Sequence, residues 1–277
     1  MLDALAYYFR YQDEQALFLP YLSEHLLLLT CIALIGVGVV FSANFFNNHP
    51  RLRRAVEIWI AVSTVCVALC YYGWHVYNGI FTTDTLPLYT CRLAILLGAF
   101  TLITHNKYTK VICVYWGFYA IASLLVVTAE PYQWPHPTIV SYWYNHACLI
   151  YTSLIIMFWG KGYTFPIKDL RRMLVFMAIY ISLSFPIDTA LQANYHFYLD
   201  PPFLDDLLLG LPFPIYPALV VLSYLSLTCF SFLIGRGLTK RVRLRKLEKL
   251  STIKTVNNPQ VKEKYSPAYF ALRRYLA

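Results

Sequence analysis

"LPLYTCRLAILLGAFTLIT", residues 86–104, reads as an apolar helix in which a thiol, Cys91, and an arginine, Arg92, stand side by side near one end. Spanning the hydrocarbon of a bilayer takes about 20 mostly apolar residues. An arginine inside such a stretch is costly unless a cavity, a partner or a reaction accounts for it. The chain around it is built the same way. Of 277 residues, 58% are hydrophobic and 13% charged, against about 25% charged in soluble domains.

Segments that meet the length and hydropathy test fall at 24–46, 56–78, 86–104, 111–128, 141–159, 173–191 and 217–234. They predict an all-α fold, a polytopic bundle of seven transmembrane helices. The expected organisation is an amino-terminal interfacial segment over 1–23, a membrane domain over 24–235 and a basic cytoplasmic tail over 236–277. The first residues, "MLDALAYYFRYQDEQ", show no basic region and no small-residue cleavage site, so a cleaved signal peptide is not expected.

Charge sets the orientation. On this seven-segment reading, 21 of the 23 Lys and Arg lie on one face of the bundle, leaving Arg10 and Arg92 towards the other. Most acidic residues, among them Asp3, Asp13, Glu14, Glu24, Asp84, Glu130, Asp200, Asp205 and Asp206, lie opposite the basic face. The positive-inside rule then places the amino end outside and the carboxyl end in the cytoplasm of a cell-membrane protein. The net charge of +9 is thus a topology signal rather than a nucleic-acid signal. "GRGLTKRVRLRKLEKL" (235–250) is a polybasic run suited to anionic inner-leaflet lipid, and "SPAYFALRRYLA" (266–277) suits a short amphipathic surface helix. Six of the seven cysteines (Cys31, Cys66, Cys70, Cys113, Cys148, Cys229) lie in apolar runs and read as packed thiols. No Cys/His spacing suggests a metal, and no cofactor is indicated.

Placed by depth, the unusual polar residues gather at the outer ends of four segments. With a rise of about 1.5 Å per residue, Cys91 and Arg92 are expected about 7–9 Å below the start of the third segment. His75 lies at the end of the second, and Asn145 and His146 open the fifth. Asp188, after a kinking Pro186, ends the sixth and is followed by Asn194 and Tyr195. The cytoplasmic halves show nothing comparable. Each residue has an ordinary account: Arg92 pairing with Asp188 as structural glue, His146 bonding between helices, Cys91 packing, and His75 and His196 serving as satisfied structural histidines. Together, a thiol, an imidazole, a carboxylate and a guanidinium at one depth are the parts of a nucleophilic acyl-transfer site. His146 would take the proton from Cys91 and return it to the leaving group. Arg92 would stabilise the thiolate or hold a lipid phosphate, and Asn194 or Asn145 would donate to an oxyanion.

Three blocks carry a family resemblance: "LPLYTCRLA" (86–94), "YNHACLIYTSLIIMFWGKGYTFPIKDLRRML" (144–174) and "PIDTALQANYHFYLDPPFLDDLLLGLPFPIYPALV" (186–220). Over about residues 25–236 the chain resembles the YwaF-like bacterial integral membrane proteins, in which a Leu-Pro motif precedes a cysteine and a later helix opens with a histidine. Animal relatives of that family are regarded as lysophospholipid acyltransferases acting through the motif cysteine with a histidine partner. The resemblance implies Cys91 as nucleophile, His146 as base and Asn194 as a site-shaping residue, with membrane phospholipids and lysophospholipids as partners. Competing readings are a non-enzymatic transport or lipid-binding protein using the same polar cluster, and a seven-helix receptor. Short loops argue against the receptor, and the lack of an internal repeat argues against a transporter.

Overall fold

The computed structural model describes residues 7–11, 23–80, 85–125, 132, 136–199, 208, 210–212 and 214–257. Side chains are described through residue 242 and at 244. Among the described residues, eight helices of six residues or more follow in order: α1 (Ser23–Phe41), α2 (Ala43–Asn48), α3 (Pro50–Tyr77), α4 (Thr90–Thr104), α5 (Lys107–Leu125), α6 (Pro137–Phe158), α7 (Ile167–Leu191) and α8 (Ile215–Asn257). No strand occurs among the described residues. Each expected segment has a helical counterpart, and the boundaries move for local reasons. The first segment divides at Ser42, whose hydroxyl bonds Val39 O at 2.9 Å, leaving the short α2. α3 starts six residues early because Pro50 at its first position suits a helix start, so the arginines at 51, 53 and 54 are helical. His105, left-handed at φ 53°, ends α4, and Asn106 Oδ1 then accepts the Tyr108 and Thr109 amides to start α5.

Length and composition qualify five helices to cross a membrane: α1, α3, α5, α7 and Ile215–Val242 of α8. α4 is shorter, at 15 residues. α6 has the length but carries "SYWYNHACLIYTS" through its middle, and the reason lies in its position. Fourteen of its 22 residues are buried, whereas α1 buries only His25 and Gly36. α6 is the inner post of the bundle, packed by α5, α3, α1 and α4, so it has no need of a lipid-compatible surface. The outer helices expose Leu34 at 65%, Leu69 at 63% and Leu183 at 61%. In water such surfaces would be an association liability; in hydrocarbon they are ordinary.

Close helix contacts set the register. A Cβ on Gly117 of α5 would overlap Ser153 of α6, whose hydroxyl bonds Val114 O at 3.1 Å. Leu149 of α6 lies against Gly98 of α4, and a Cβ on Gly36 would lie 3.3 Å from Leu154. Small residues at helix crossings substitute here for the hydrophobic drive that lipid cannot provide. At the other end, the buried Phe165 ring occupies the space over Gly235 of α8.

The described amino-terminal residues 7–11 dock at one end of the bundle, where Trp74 Nε1 donates to Phe9 O and Arg10 O at 3.2 Å each. The polybasic run continues α8 as one helix to Asn257; at 43 residues it is about 65 Å long, twice the hydrocarbon thickness. The segment 266–277 lies outside the described residues.

The glycine contacts predict opposite outcomes for two similar substitutions. Gly117→Ala forces α5 off Ser153 and is expected to cost about 1–3 kcal/mol, read as a lower melting temperature in detergent. Gly73→Ala, where a Cβ meets nothing within 4 Å, should be neutral or slightly stabilising.

Candidate functional site

Pro87 lacks an N–H and disfavours helix at Leu86. Tyr89 is extended (φ −64°, ψ 138°), and α4 begins only at Thr90. This corrects the expected depth: Cys91 and Arg92 lie in the first turn of α4, not several ångströms inside it. The arginine is thereby accounted for. Its Nη1 donates to Leu86 O at 3.1 Å and Nη2 to Tyr71 Oη at 2.8 Å. The guanidinium also lies 4.7 Å from the Tyr89 ring centroid and 5.2 Å from that of Tyr71, an aromatic cradle for a cation. Cys91, partly exposed, occupies the positive end of α4, where first-turn N–H groups have no intrahelical acceptor.

The turn after α7 is docked against this helix start. Gln192 (φ 52°) ends α7, and the fully buried Asp188 holds the turn twice, through its Oδ1 to the Tyr195 amide at 3.0 Å and its carbonyl to the Ala193 amide at 3.0 Å. Asn194 Oδ1 accepts the Leu199 amide at 3.1 Å. The Tyr195 ring meets Tyr89 edge-on at 5.2 Å. His196 Nε2 shares a hydrogen bond of 3.1 Å with Thr90 Oγ1, the residue beside Cys91. Asp188, Asn194 and Tyr195 thus build the platform that presents His196.

His196 is the residue that sequence reasoning passed over, having read it as a satisfied structural histidine. It is fully buried between Tyr180 and Tyr224 (ring distances 4.9 and 5.6 Å), and its Nδ1 has no hydrogen-bond partner among the described residues. Burial pushes its pKa down to about 4, so the imidazole is neutral at physiological pH. No local signal distinguishes it, because its partner lies 106 residues away in sequence.

Asn145 and His146 sit deeper. α6 starts at Pro137, four residues earlier than expected, so His146 falls in the third turn. Asn145 Nδ2 donates to Ser141 Oγ at 3.0 Å, and His146 Nδ1 bonds Tyr142 O at 2.7 Å. Among the described residues, the buried Asn145 Oδ1 and His146 Nε2 have no hydrogen-bond partner. Counted from the Gly98–Leu149 contact, Cys91 lies seven residues and His146 three towards the amino end of its own helix, a difference of four residues or about 6 Å along the axis. Among the described residues no hydrogen bond joins Cys91 to His146.

A second polar cluster lies at the opposite end, where none was expected. Glu57, 4% exposed, takes Arg53 Nε at 3.6 Å, Arg54 Nη1 at 3.5 Å and His105 Nε2 at 3.2 Å. Arg54 also caps α4 by donating to Leu102 O and to Ile103 O. The glutamate was hidden in sequence by the helix start assumed at residue 56. No metal-binding group of His, Cys, Asp or Glu occurs among the described residues.

A profile described as the TMEM164 family matches residues 21–234, which takes in every helix down to the middle of α8. No curated protein matches, and no solved structure matches.

The buried neutral His196 predicts a pH effect. Its folded pKa lies below the ordinary 6.5, so the unfolded chain binds more protons between about pH 6.5 and 4. Stability is therefore present above that window and falls as pH drops through it. Melting the wild type and His196→Gln from pH 7 to pH 4.5 should show a smaller drop in the variant, by a few degrees. Equal slopes would mean that His196 is not the proton acceptor.

Proposed function

The chain belongs to the TMEM164 family, a family of transmembrane proteins, and from that premise we propose that it moves a fatty acyl chain between phospholipid and lysophospholipid through Cys91. The observation that carries the reading is the setting of that thiol. It sits at the positive end of α4, next to the cradled Arg92 and beside the Thr90–His196 hydrogen bond. The resemblance to YwaF-like proteins, and through them to animal lysophospholipid acyltransferases, belongs to the same proposal.

In the proposed first step Cys91 Sγ attacks the carbonyl carbon of a donor ester. The S–C bond forms, the ester C–O bond breaks, and the thiol proton passes through an imidazole to the departing lysophospholipid oxygen. In the second step the hydroxyl of an acceptor lysophospholipid attacks the thioester, its proton returns by the same route, and Cys91 is regenerated as a thiol. His146, whose buried Nε2 has no hydrogen-bond partner among the described residues, is the proposed base. His196, with its open Nδ1, supports the helix start from the other side. Arg92 and Tyr71 would take the phosphate, and Asn145 supplies an amide near the carbonyl.

The proposed topology is seven spans, with α4 and α6 completing the set as inner helices in a cell membrane. The amino end and Cys91 lie at the outer face, and the basic extension of α8 lies along anionic lipid in the cytoplasm. A tag at Ala277 should be reached only from the cytoplasm, and an impermeant thiol reagent should label Glu130→Cys from outside. The reverse pattern overturns the outward-facing site.

A second reading has its own support: Asp188 and Asn194 are engaged in building the turn, as in a protein that binds lipid without chemistry. One set of variants separates the two. Cys91→Ala should melt like wild type and lose acyl exchange to background, because the covalent route is gone. Arg92→Lys keeps the charge but loses the two-pronged donor set, so the apparent KM for lipid should rise more than kcat falls. Full exchange by folded Cys91→Ala rules the covalent mechanism out.

A further inference from the structure

At the basic end of the bundle, α3, α4, α5 and the 159–163 loop enclose a cavity of about 250 Å³. Arg53, Lys110 and Lys161 line it from three different elements, with Glu57, His105 and Tyr163 beside them. Glu57 is already matched by Arg53, Arg54 and His105. Lys110 and Lys161 have no carboxylate within ion-pair distance among the described residues. The cavity therefore holds more positive charge than its own carboxylate cancels. His105 shows the same field: burial lowers its pKa first, and Lys110, Arg54 and Arg53 lower it further against the opposing pull of Glu57.

The loop is shaped to present these groups. In "WGKGY" (159–163), Gly160 and Gly162 both have positive φ, 63° and 67°. Gly160 lets the loop pass close over Arg53, where a Cβ would lie 3.0 Å from Nη1, and Lys161 is carried between the two glycines. Leu102, Ile155 and Trp159 form the apolar wall. The volume is below the usual range of about 300–1,000 Å³ for sites that enclose a whole drug-sized ligand. It fits a headgroup, not acyl chains.

We propose that this cavity binds a phosphate group, supplied by an anionic phospholipid whose headgroup enters from the basic face of the bundle while its chains stay in the bilayer. Arg53 offers a planar donor set to the phosphate oxygens, and Lys110 and Lys161 act as point charges on either side. The site is at the opposite end from Cys91 and does not rest on acyl transfer.

The test uses the purified full chain and two probes. By native mass spectrometry, wild type should retain phosphatidic acid over phosphatidylcholine. Lys110→Gln/Lys161→Gln should reduce that retention roughly tenfold, and Lys110→Arg/Lys161→Arg should restore it. Lys168→Gln/Arg171→Gln, which removes two charges outside the cavity, should leave it unchanged. Equal losses in the two glutamine pairs, or no loss in the first, overturn the proposal. In the second arm, inorganic phosphate is titrated calorimetrically into delipidated protein. Binding of phosphate that the lysine pair abolishes, without selective retention of phosphatidic acid, overturns the lipid as the source and assigns the cavity to soluble phosphate. Binding of neither probe overturns the site itself.

Discussion

The crossing of α5 over α6 at Gly117 and Ser153 is the contact from which the rest of the bundle is built. Gly117 removes the Cβ that would collide with Ser153, and Ser153 returns a hydrogen bond to Val114 O. Backbones brought this close gain dispersion contacts that lipid chains cannot match. Four residues up α6, Leu149 meets Gly98, so one close crossing fixes three helices at once. α6 becomes the post around which α1, α3, α4 and α5 assemble, and its polar side chains are enclosed by protein rather than hydrocarbon.

That enclosure explains why polar groups collect where they do. Ser141, Asn145 and His146 are tolerable on α6 because each finds at least one bond inside the bundle. At the end of the bundle that carries Cys91 a different device works. Asp188 holds the 192–199 turn, the turn delivers His196 to Thr90, and Tyr195 packs on Tyr89, itself part of the Arg92 cradle. Substituting Asp188 would disturb α4 through the turn without touching Cys91 directly. At the basic end Arg54 ties α3 to the last carbonyls of α4. Both ends of α4, a helix shorter than the others around it, are thus pinned by side chains of its neighbours.

The chain's membrane class was plain from composition, and every apolar segment produced a helix, because burying or lipidating that much apolar surface leaves the backbone few other ways to satisfy its hydrogen bonds. Boundaries were less legible. Hydropathy excluded the arginines at 51, 53 and 54 from α3 and the lysine at 107 from α5, although charged residues fit a helix end that emerges from the hydrocarbon. It also placed Cys91 too deep, because it could not weigh the turn that Pro87 imposes. Among site residues, Cys91 and Arg92 stood out as misfits in an apolar stretch. Asp188 and Asn194 stood out for the same reason, and the structure gives them the work of building a turn.

The sequence by itself determined that this is a helical membrane protein, which segments are apolar enough to be helices, and that most of its basic residues lie at the ends of those segments or after the last of them. Those properties are local or additive, so they survive without knowledge of neighbours. Only the tertiary structure decided that α6 is innermost, that His196 stands beside Thr90, and that Glu57 is ringed by Arg53, Arg54 and His105. Each of these depends on the register of one helix against another. That register is set by the absence of a Cβ at Gly98 and Gly117, a feature that every glycine in the sequence shares and that only packing turns into a contact.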